Sequence, residues 1–244
     1  MRSAMIDKLK VLHLPGFAEN LELRLQEARG NRLDFEEFLE ILIDDELAMR
    51  QAKKRKNALK KANFRDLKTL EDFDWQFNPN IDRNLFYQLA NCQFIREPRD
   101  LLCIGAPGTG KSHLTQAIGY EAVKRGFAVI YSSIFDLIRE FQYPELGKEK
   151  AILTKYLKCD LLIIDDMGLK SLPDRAGEIL FELIMRRYEL RSTIMTSNRP
   201  IEDWGKLIGD VATAGAILDR LLHNAMVIPF KGRSYRLRKA AGEL

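Results

Sequence analysis

The second part of the chain alternates short apolar runs with segments in which apolar residues recur every three or four positions. The short runs predict buried strands at residues 101–104, 127–131, 161–164 and 225–230, and residues 192–198 predict a further strand with a polar tip. The periodic segments predict helices at residues 81–92, 113–124, 134–141, 148–157, 175–190 and 215–223. Strands that alternate with helices indicate an α/β fold with a five-stranded parallel sheet.

The start of the chain shows helical periodicity only. A first helix begins near Ile6 and is expected to stop near Pro15, and a second is expected to end near Gly30. Asp34 and Glu37 suit the first turn of a third helix as a capping box. We therefore expect a small all-helical domain over residues 1–66, followed by the α/β domain over residues 67–244.

Composition narrows the class of protein. Apolar residues make up 46% of the 244 positions, which is enough for a substantial core. No run approaches the roughly 18 apolar residues of a membrane span, and the start has no signal-peptide pattern. We expect a cytoplasmic protein with no membrane partner, whose three cysteines are reduced thiols.

Positive charge is concentrated between Arg50 and Lys68, although the net charge is only +4. This stretch holds nine basic residues and one acid, Asp66. It could contact nucleic-acid phosphates, or it could be a solvated connector, and the sequence favours neither. The candidate DNA contacts are Lys53, Lys54, Lys56, Lys60 and Lys61.

Residues 105–112 match G-x-x-x-x-G-K-[ST], the phosphate-binding loop (Walker A motif) of P-loop NTPases. Glycines let backbone N–H groups point inward, where they can bind polyphosphate. Lys111 can reach the β- and γ-phosphates of ATP, and the hydroxyl of Ser112 can ligate Mg²⁺. The expected nucleotide contacts are Gly105, Ala106, Pro107, Gly108, Thr109, Gly110, Lys111, Ser112 and His113.

Acidic and polar residues follow two later strands. Asp165 ends an apolar run in the Walker B arrangement and can hold Mg²⁺ together with Ser112. Asp166 is placed to act as general base on the attacking water. Asn198 can orient that water or contact the γ-phosphate, although an Asn before Pro200 is also a common turn residue.

Two further features each allow two interpretations. Arg220 could act on the nucleotide of a neighbouring subunit, or it could pair with Asp219, and Arg186 and Arg187 compete for the first role. The aromatic residues Phe73 and Trp75 could form a wall of an adenine pocket or pack into the core.

Taken together, these motifs resemble those of the IstB-like ATPases, a branch of the AAA+ ATPases that is similar to the DnaC helicase loaders. The residues that carry the resemblance are Leu70–Asp74, Gly105–Ser112, Leu162–Gly168, Ser192–Asn198 with Trp204, Leu218–Leu221 and Gly232–Arg236.

The resemblance implies that Asn198 is sensor 1, Arg220 the arginine finger and Arg236 a sensor 2 or tail contact with nucleotide. It also implies a reduced or absent helical lid, since about fourteen residues follow the last strand. The implied function is an ATP-dependent homo-oligomer that assembles on duplex DNA and delivers the target site to a transposase. The alternatives are a DnaC-like helicase loader that binds single-stranded DNA, and a nucleotide-binding adaptor with negligible turnover.

Overall fold

A computed structural model describes residues 2–242, without the side chains of Arg2, Ser3 and Lys239. The chain forms two compact units, Met1–Asn57 and Ala58–Leu244. The units divide earlier than the boundary expected after residue 66. The physical reason is that Ala62 is fully buried in the core of the second unit, where Ala58, Leu59 and Phe64 also pack.

The first unit is helical. Its helices are α1 (Arg2–Val11), α2 (Pro15–Asn31) and the first part of α3 (Phe35–Ala62). Pro15 begins α2 instead of ending α1, because proline also suits the first turn of a helix. The expected capping box is confirmed: the Glu37 N–H donates to Asp34 Oδ1 at 2.8 Å, and the Asp34 N–H donates to Glu37 Oε2 at 3.0 Å.

The second unit is an α/β domain. Its five strands form one parallel sheet in the order β2-β3-β4-β1-β5, which confirms the expected fold class. The strands are β1 (Asp100–Gly105), β2 (Val129–Ser133), β3 (Leu161–Met167), β4 (Ser192–Ser197) and β5 (Ala225–Phe230). The helices are α4 (Arg83–Leu89), α5 (Gln93–Arg96), α6 (Lys111–Lys124), α7 (Ile134–Gln142), α8 (Glu149–Lys158), α9 (Ala176–Arg187), α10 (Trp204–Ile208), α11 (Val211–His223) and α12 (Tyr235–Ala240).

Alternate strand residues supply two apolar cores, one on each face of the sheet. Leu101 and Ile163 belong to the core that includes α6, whereas Leu102 and Leu162 belong to the core that includes α7, α9 and α11. The cysteines are free and buried, as expected.

Several boundaries differ from the expected ones. The helix expected over residues 81–92 ends at Leu89, and Cys92 adopts a left-handed conformation with φ 61°. Helix α11 begins at Val211, because the side chain of Asp210 accepts hydrogen bonds from the N–H groups of Ala212 and Thr213. Within the described residues, α12 is the one helix after β5, and no helix is long and apolar enough to cross a membrane.

Candidate nucleotide-binding site

The phosphate loop joins the end of β1 to the start of α6. Gly108 and Gly110 have φ of 81° and 107°, in the left-handed region that favours glycine. A Cβ on Gly105 would overlap the carbonyl oxygen of Phe230 on β5. The three glycines therefore satisfy different steric requirements, two of conformation and one of close approach.

Lys111 is buried at the base of the loop. Its Nζ donates to the carbonyl oxygens of Gly105 at 2.6 Å and Ala106 at 2.8 Å. Burial lowers the pKa of this lysine to about 8. The Thr109 hydroxyl donates to the same Ala106 oxygen at 2.8 Å, so hydrogen bonds within the loop stabilise its conformation.

Asp165 lies at the end of β3 and is fully buried. Three hydroxyls donate to its carboxylate: Ser112 Oγ at 3.0 Å, Tyr131 OH at 2.5 Å and Thr196 Oγ1 at a shorter distance. Burial, and then the charge of Asp165, raise the pKa of Tyr131. Sequence reasoning identified Ser112 and Asp165 but missed Tyr131 and Thr196, which complete the set of donors.

Asp166 lies at an irregularity in β3. The register with β4 shifts between Ile164 and Met167, and Asp166 adopts φ 68°. Its N–H donates to Thr196 Oγ1 at 3.2 Å, and its Oδ2 lies 2.8 Å from a guanidinium nitrogen of Arg65. A bulge of this kind re-aims a side chain beside an active site. Here it accompanies a carboxylate that lines the cavity above the phosphate loop.

That cavity has a volume of about 670 Å³, within the range of small-molecule sites. The residues that line it include the phosphate loop, Asp166, Asn198, Tyr235 and Arg236. A Mg²⁺–nucleoside triphosphate requires a glycine-rich loop with positive φ angles, a lysine, a serine hydroxyl and two carboxylates. The residues present therefore fit ATP and Mg²⁺.

Phe73 fits both interpretations, because it lines the cavity and also packs against the core, whereas Trp75 fits core packing. Phe73 lines the cavity, where its ring lies edge-on to His113 with centroids 5.2 Å apart. Trp75 instead packs on Phe86, and its Nε1 donates to the Leu70 carbonyl at 3.1 Å. His113 also lines the cavity, but its Nε2 lies 2.9 Å from the Thr69 carbonyl oxygen, and burial lowers its pKa.

Asn78 is a site residue that sequence reasoning missed. It is buried, and its Nδ2 donates to the carbonyls of Thr109 at 3.3 Å and Arg233 at 3.2 Å. Its Oδ1 accepts the Arg233 N–H at 3.0 Å, and the Tyr235 N–H donates to the Gly108 carbonyl at 3.0 Å. These bonds hold the segment after β5 against the phosphate loop and bring Arg236 to the cavity.

The candidate trans-acting arginines lie elsewhere. Arg220 on α11 pairs with Asp219 and lies over the Tyr188 ring, and it is not among the described residues that line the cavity. Arg186 pairs with Glu182 at 2.9 Å. Arg187 is 1% exposed and donates to backbone carbonyls of Tyr156, Cys159 and Ser192. Arg187 therefore stabilises the core through these hydrogen bonds and is not accessible to a neighbouring molecule.

The basic stretch is helical as far as Ala62. Because Lys53, Lys56 and Lys60 are spaced by three and four residues, they share one face of α3. The exposed lysines of this stretch are Lys53, Lys54, Lys56, Lys60 and Lys61.

Fold and site together define an ATP-binding P-loop protein of the AAA+ type. The family model described as IstB-like ATP binding protein matches residues 7–242, and the chain belongs to that family. It is 35% identical over 229 residues to the insertion sequence IS5376 putative ATP-binding protein of Geobacillus stearothermophilus, covering 93% of this chain and 91% of that one.

Two solved structures share the fold. DnaI has a TM-score of 0.55 and 25% identity, over 68% of this chain and 89% of DnaI. The replication initiator DnaA bound to AMPPCP and single-stranded DNA has a TM-score of 0.56 and 26% identity, over 75% of this chain and 56% of that chain.

Proposed function

We propose that this protein is a Mg²⁺-dependent ATPase that assembles on duplex DNA and delivers it to a transposase, with hydrolysis controlling the assembly. The observation that carries the proposal is the grouping of Lys111, Ser112, Asp165 and Asp166 at one end of the sheet. Ser112 and Asp165 would hold Mg²⁺, which when bound neutralises phosphate charge. Asp166 takes the proton of the attacking water, and Asn198 orients that water.

Hydrolysis is tested with two substitutions. Lys111→Ala should weaken ATP binding, because it removes the cation at the base of the loop. Asp166→Asn should retain binding and lose turnover, because an amide cannot accept the proton. Phosphate release and nucleotide binding are measured separately. Wild-type turnover in Asp166→Asn would reject the assigned base, and negligible turnover in the wild type would favour the adaptor.

Assembly is tested through Arg220, whose position outside its own cavity supports action on a neighbour's nucleotide. Arg220→Ala should bind ATP but not hydrolyse it. Mixing Arg220→Ala with Asp166→Asn protein should restore part of the activity, because some interfaces then hold one intact site. Arg186→Ala, which breaks a surface ion pair on α9, is assayed in parallel as the competing candidate for this role and should leave hydrolysis unchanged. No rescue in confirmed mixed assemblies would count against action in trans.

DNA binding is tested by replacing Lys53, Lys56 and Lys60 together with Ala. Each phosphate contact contributes about 0.9 to the slope of log affinity against log salt, so the slope should flatten by up to about three. The loss should be the same for all sequences, since phosphate contacts carry no sequence information. A triple replacement of Lys148, Lys150 and Lys158 by Ala removes equal charge elsewhere. If the two triple variants change duplex affinity and the salt slope equally, the basic stretch is a solvated connector.

The similarity to an insertion-sequence ATP-binding protein supports a role in transposition over the helicase-loader alternative. Co-purification with a transposase, and tighter binding of duplex than of single-stranded DNA, are expected. Co-purification with a replicative helicase would favour the alternative.

A further inference from the structure

The segment after α3 is fixed in place by packing. Asn63 ends the helix in a left-handed conformation with φ 58°, and Phe64 turns into the core of the second unit. The Phe64 ring lies 6.2 Å from the ring of Tyr131, centroid to centroid. It also occupies the space beside Gly119, where a Cβ would meet it at 2.8 Å. Phe64 thus anchors the segment that follows α3 against helix α6.

Gln116 ties this segment to the phosphate loop. Its Oε1 accepts the N–H groups of Arg65 at 3.1 Å and Asp66 at 3.4 Å, and its Nε2 donates to the Ser112 carbonyl at 3.0 Å. Gln116 is buried, so these bonds are shielded from water. A displacement of residues 65 and 66 would therefore be transmitted to the backbone of Ser112.

The side chain of Arg65 crosses to the candidate general base. One guanidinium nitrogen lies 2.8 Å from Asp166 Oδ2, and the guanidinium carbon lies 6.0 Å from the ring centre of Tyr131. The Arg65 side chain is 51% exposed, whereas that of Asp166 is 17% exposed. A carboxylate oxygen engaged by a guanidinium is a poorer acceptor for a proton from water. The half-exposed guanidinium can also exchange its carboxylate for a phosphate, which it binds equally well.

We propose that Arg65 is a positioning residue that restrains Asp166, and that a backbone phosphate of duplex DNA withdraws it and so stimulates hydrolysis. The neighbouring Lys60 and Lys61 are exposed at the end of α3 and would bring the phosphates within reach. The inference rests on the proposed function, because it takes Asp166 as the base and α3 as a DNA-binding element. It adds the physical link between the two.

The test compares ATP turnover of the wild type, Arg65→Ala and Arg65→Lys, with and without duplex DNA. Arg65→Ala should raise the DNA-free rate roughly two- to five-fold, the range that a half-exposed ion pair can restrain, and should lose stimulation by DNA. Arg65→Lys keeps a cation and should retain part of the stimulation. The salt slope of duplex binding should flatten by about 0.9 in Arg65→Ala, because one phosphate contact is lost. Arg139→Ala, which breaks the exposed pair with Asp136 on α7, is the matched control.

Three results would overturn the inference: wild-type turnover that DNA does not stimulate, Arg65→Ala that behaves as wild type, and Arg65→Ala that is inactive with or without DNA. The Asp166→Asn and Lys53/Lys56/Lys60 variants are assayed in parallel. If Asp166→Asn loses turnover and the triple variant loses DNA binding while Arg65→Ala behaves as wild type, the proposed function stands and only the restraint fails.

Discussion

Asp100 is the first residue of β1 and is buried, and it makes the stability of the second unit depend on pH. Its side chain is 8% exposed, and burial raises its pKa from the ordinary value of 3.8 to about 6. Two groups oppose that rise: the Thr193 N–H, which donates to Oδ1 at 2.7 Å, and the buried Arg187 guanidinium. Desolvation is larger than both, so folding favours the protonated carboxyl group.

The sign of the effect follows from the two pKa values. Between about pH 4 and pH 6 the native protein holds this proton and the unfolded chain releases it, so stability falls as pH rises through that window. A difference of about two pH units between folded and unfolded pKa corresponds to about 3 kcal/mol. Asp100→Asn cannot titrate, yet its Oδ1 can still accept the Thr193 N–H. As pH rises from 4 to 7, the free energy of unfolding of Asp100→Asn should therefore increase by about 3 kcal/mol relative to that of the wild type.

The assay is urea unfolding at several pH values, followed by tryptophan fluorescence. Both tryptophans, Trp75 and Trp204, lie in the second unit and report on it. Because other carboxyl groups titrate equally in the two proteins, the difference between their unfolding free energies isolates Asp100. The packing cost of the amide shifts that difference by a constant and leaves its pH dependence unchanged. A difference that stays level from pH 4 to pH 7 would refute the reasoning.

Two substitutions near the phosphate loop have equally direct expectations. Tyr131→Phe removes a hydroxyl donor from buried Asp165 and should lower the free energy of unfolding by about 1.5–3 kcal/mol, with slower turnover. Urea unfolding and phosphate release measure the two effects, and unchanged stability and turnover would contradict the expectation. Asn78→Asp places carboxylate oxygens opposite the carbonyl oxygens of Thr109 and Arg233, so it should weaken ATP binding by about tenfold or more. Unchanged affinity in a nucleotide titration would show that the segment after β5 does not support the phosphate loop.

The fold could be predicted from sequence because its signals are local. Four of the five strands contain an apolar run, each long helix has a periodic apolar face, and Gly105–Ser112 is a contiguous motif with a fixed backbone requirement. The family resemblance rests on the same local motifs, and the family model that matches residues 7–242 confirms it. Local signals also caused the error at Pro15, since a proline that suits the first turn of one helix also suits the end of another.

The remaining site residues depend on contacts between distant parts of the chain. Asn78 bonds to Arg233 across 155 positions, and nothing around Asn78 in the sequence marks it as a support for the phosphate loop. In the sequence Arg65 is one of nine basic residues of a single stretch, and only the fold shows that it faces Asp166. Tyr131 and Thr196 were assigned to strands, but their hydroxyls converge on one carboxylate only because β2 and β4 both pair with β3.

These distant contacts attach two segments to one loop, and thermodynamic linkage then constrains how ligands act. Gln116 joins residues 65 and 66 to Ser112, while Asn78 joins Thr109 to the segment after β5. If DNA draws Arg65 away from Asp166 and thereby changes ATP affinity by some factor, bound ATP must change DNA affinity by the same factor. The reciprocity applies to binding and not to turnover. Gln116→Ala removes the bond to Ser112 but leaves Arg65 able to reach phosphate, so it should reduce both affinity factors equally. Wild-type values of both factors in Gln116→Ala would show that DNA and nucleotide communicate by another route.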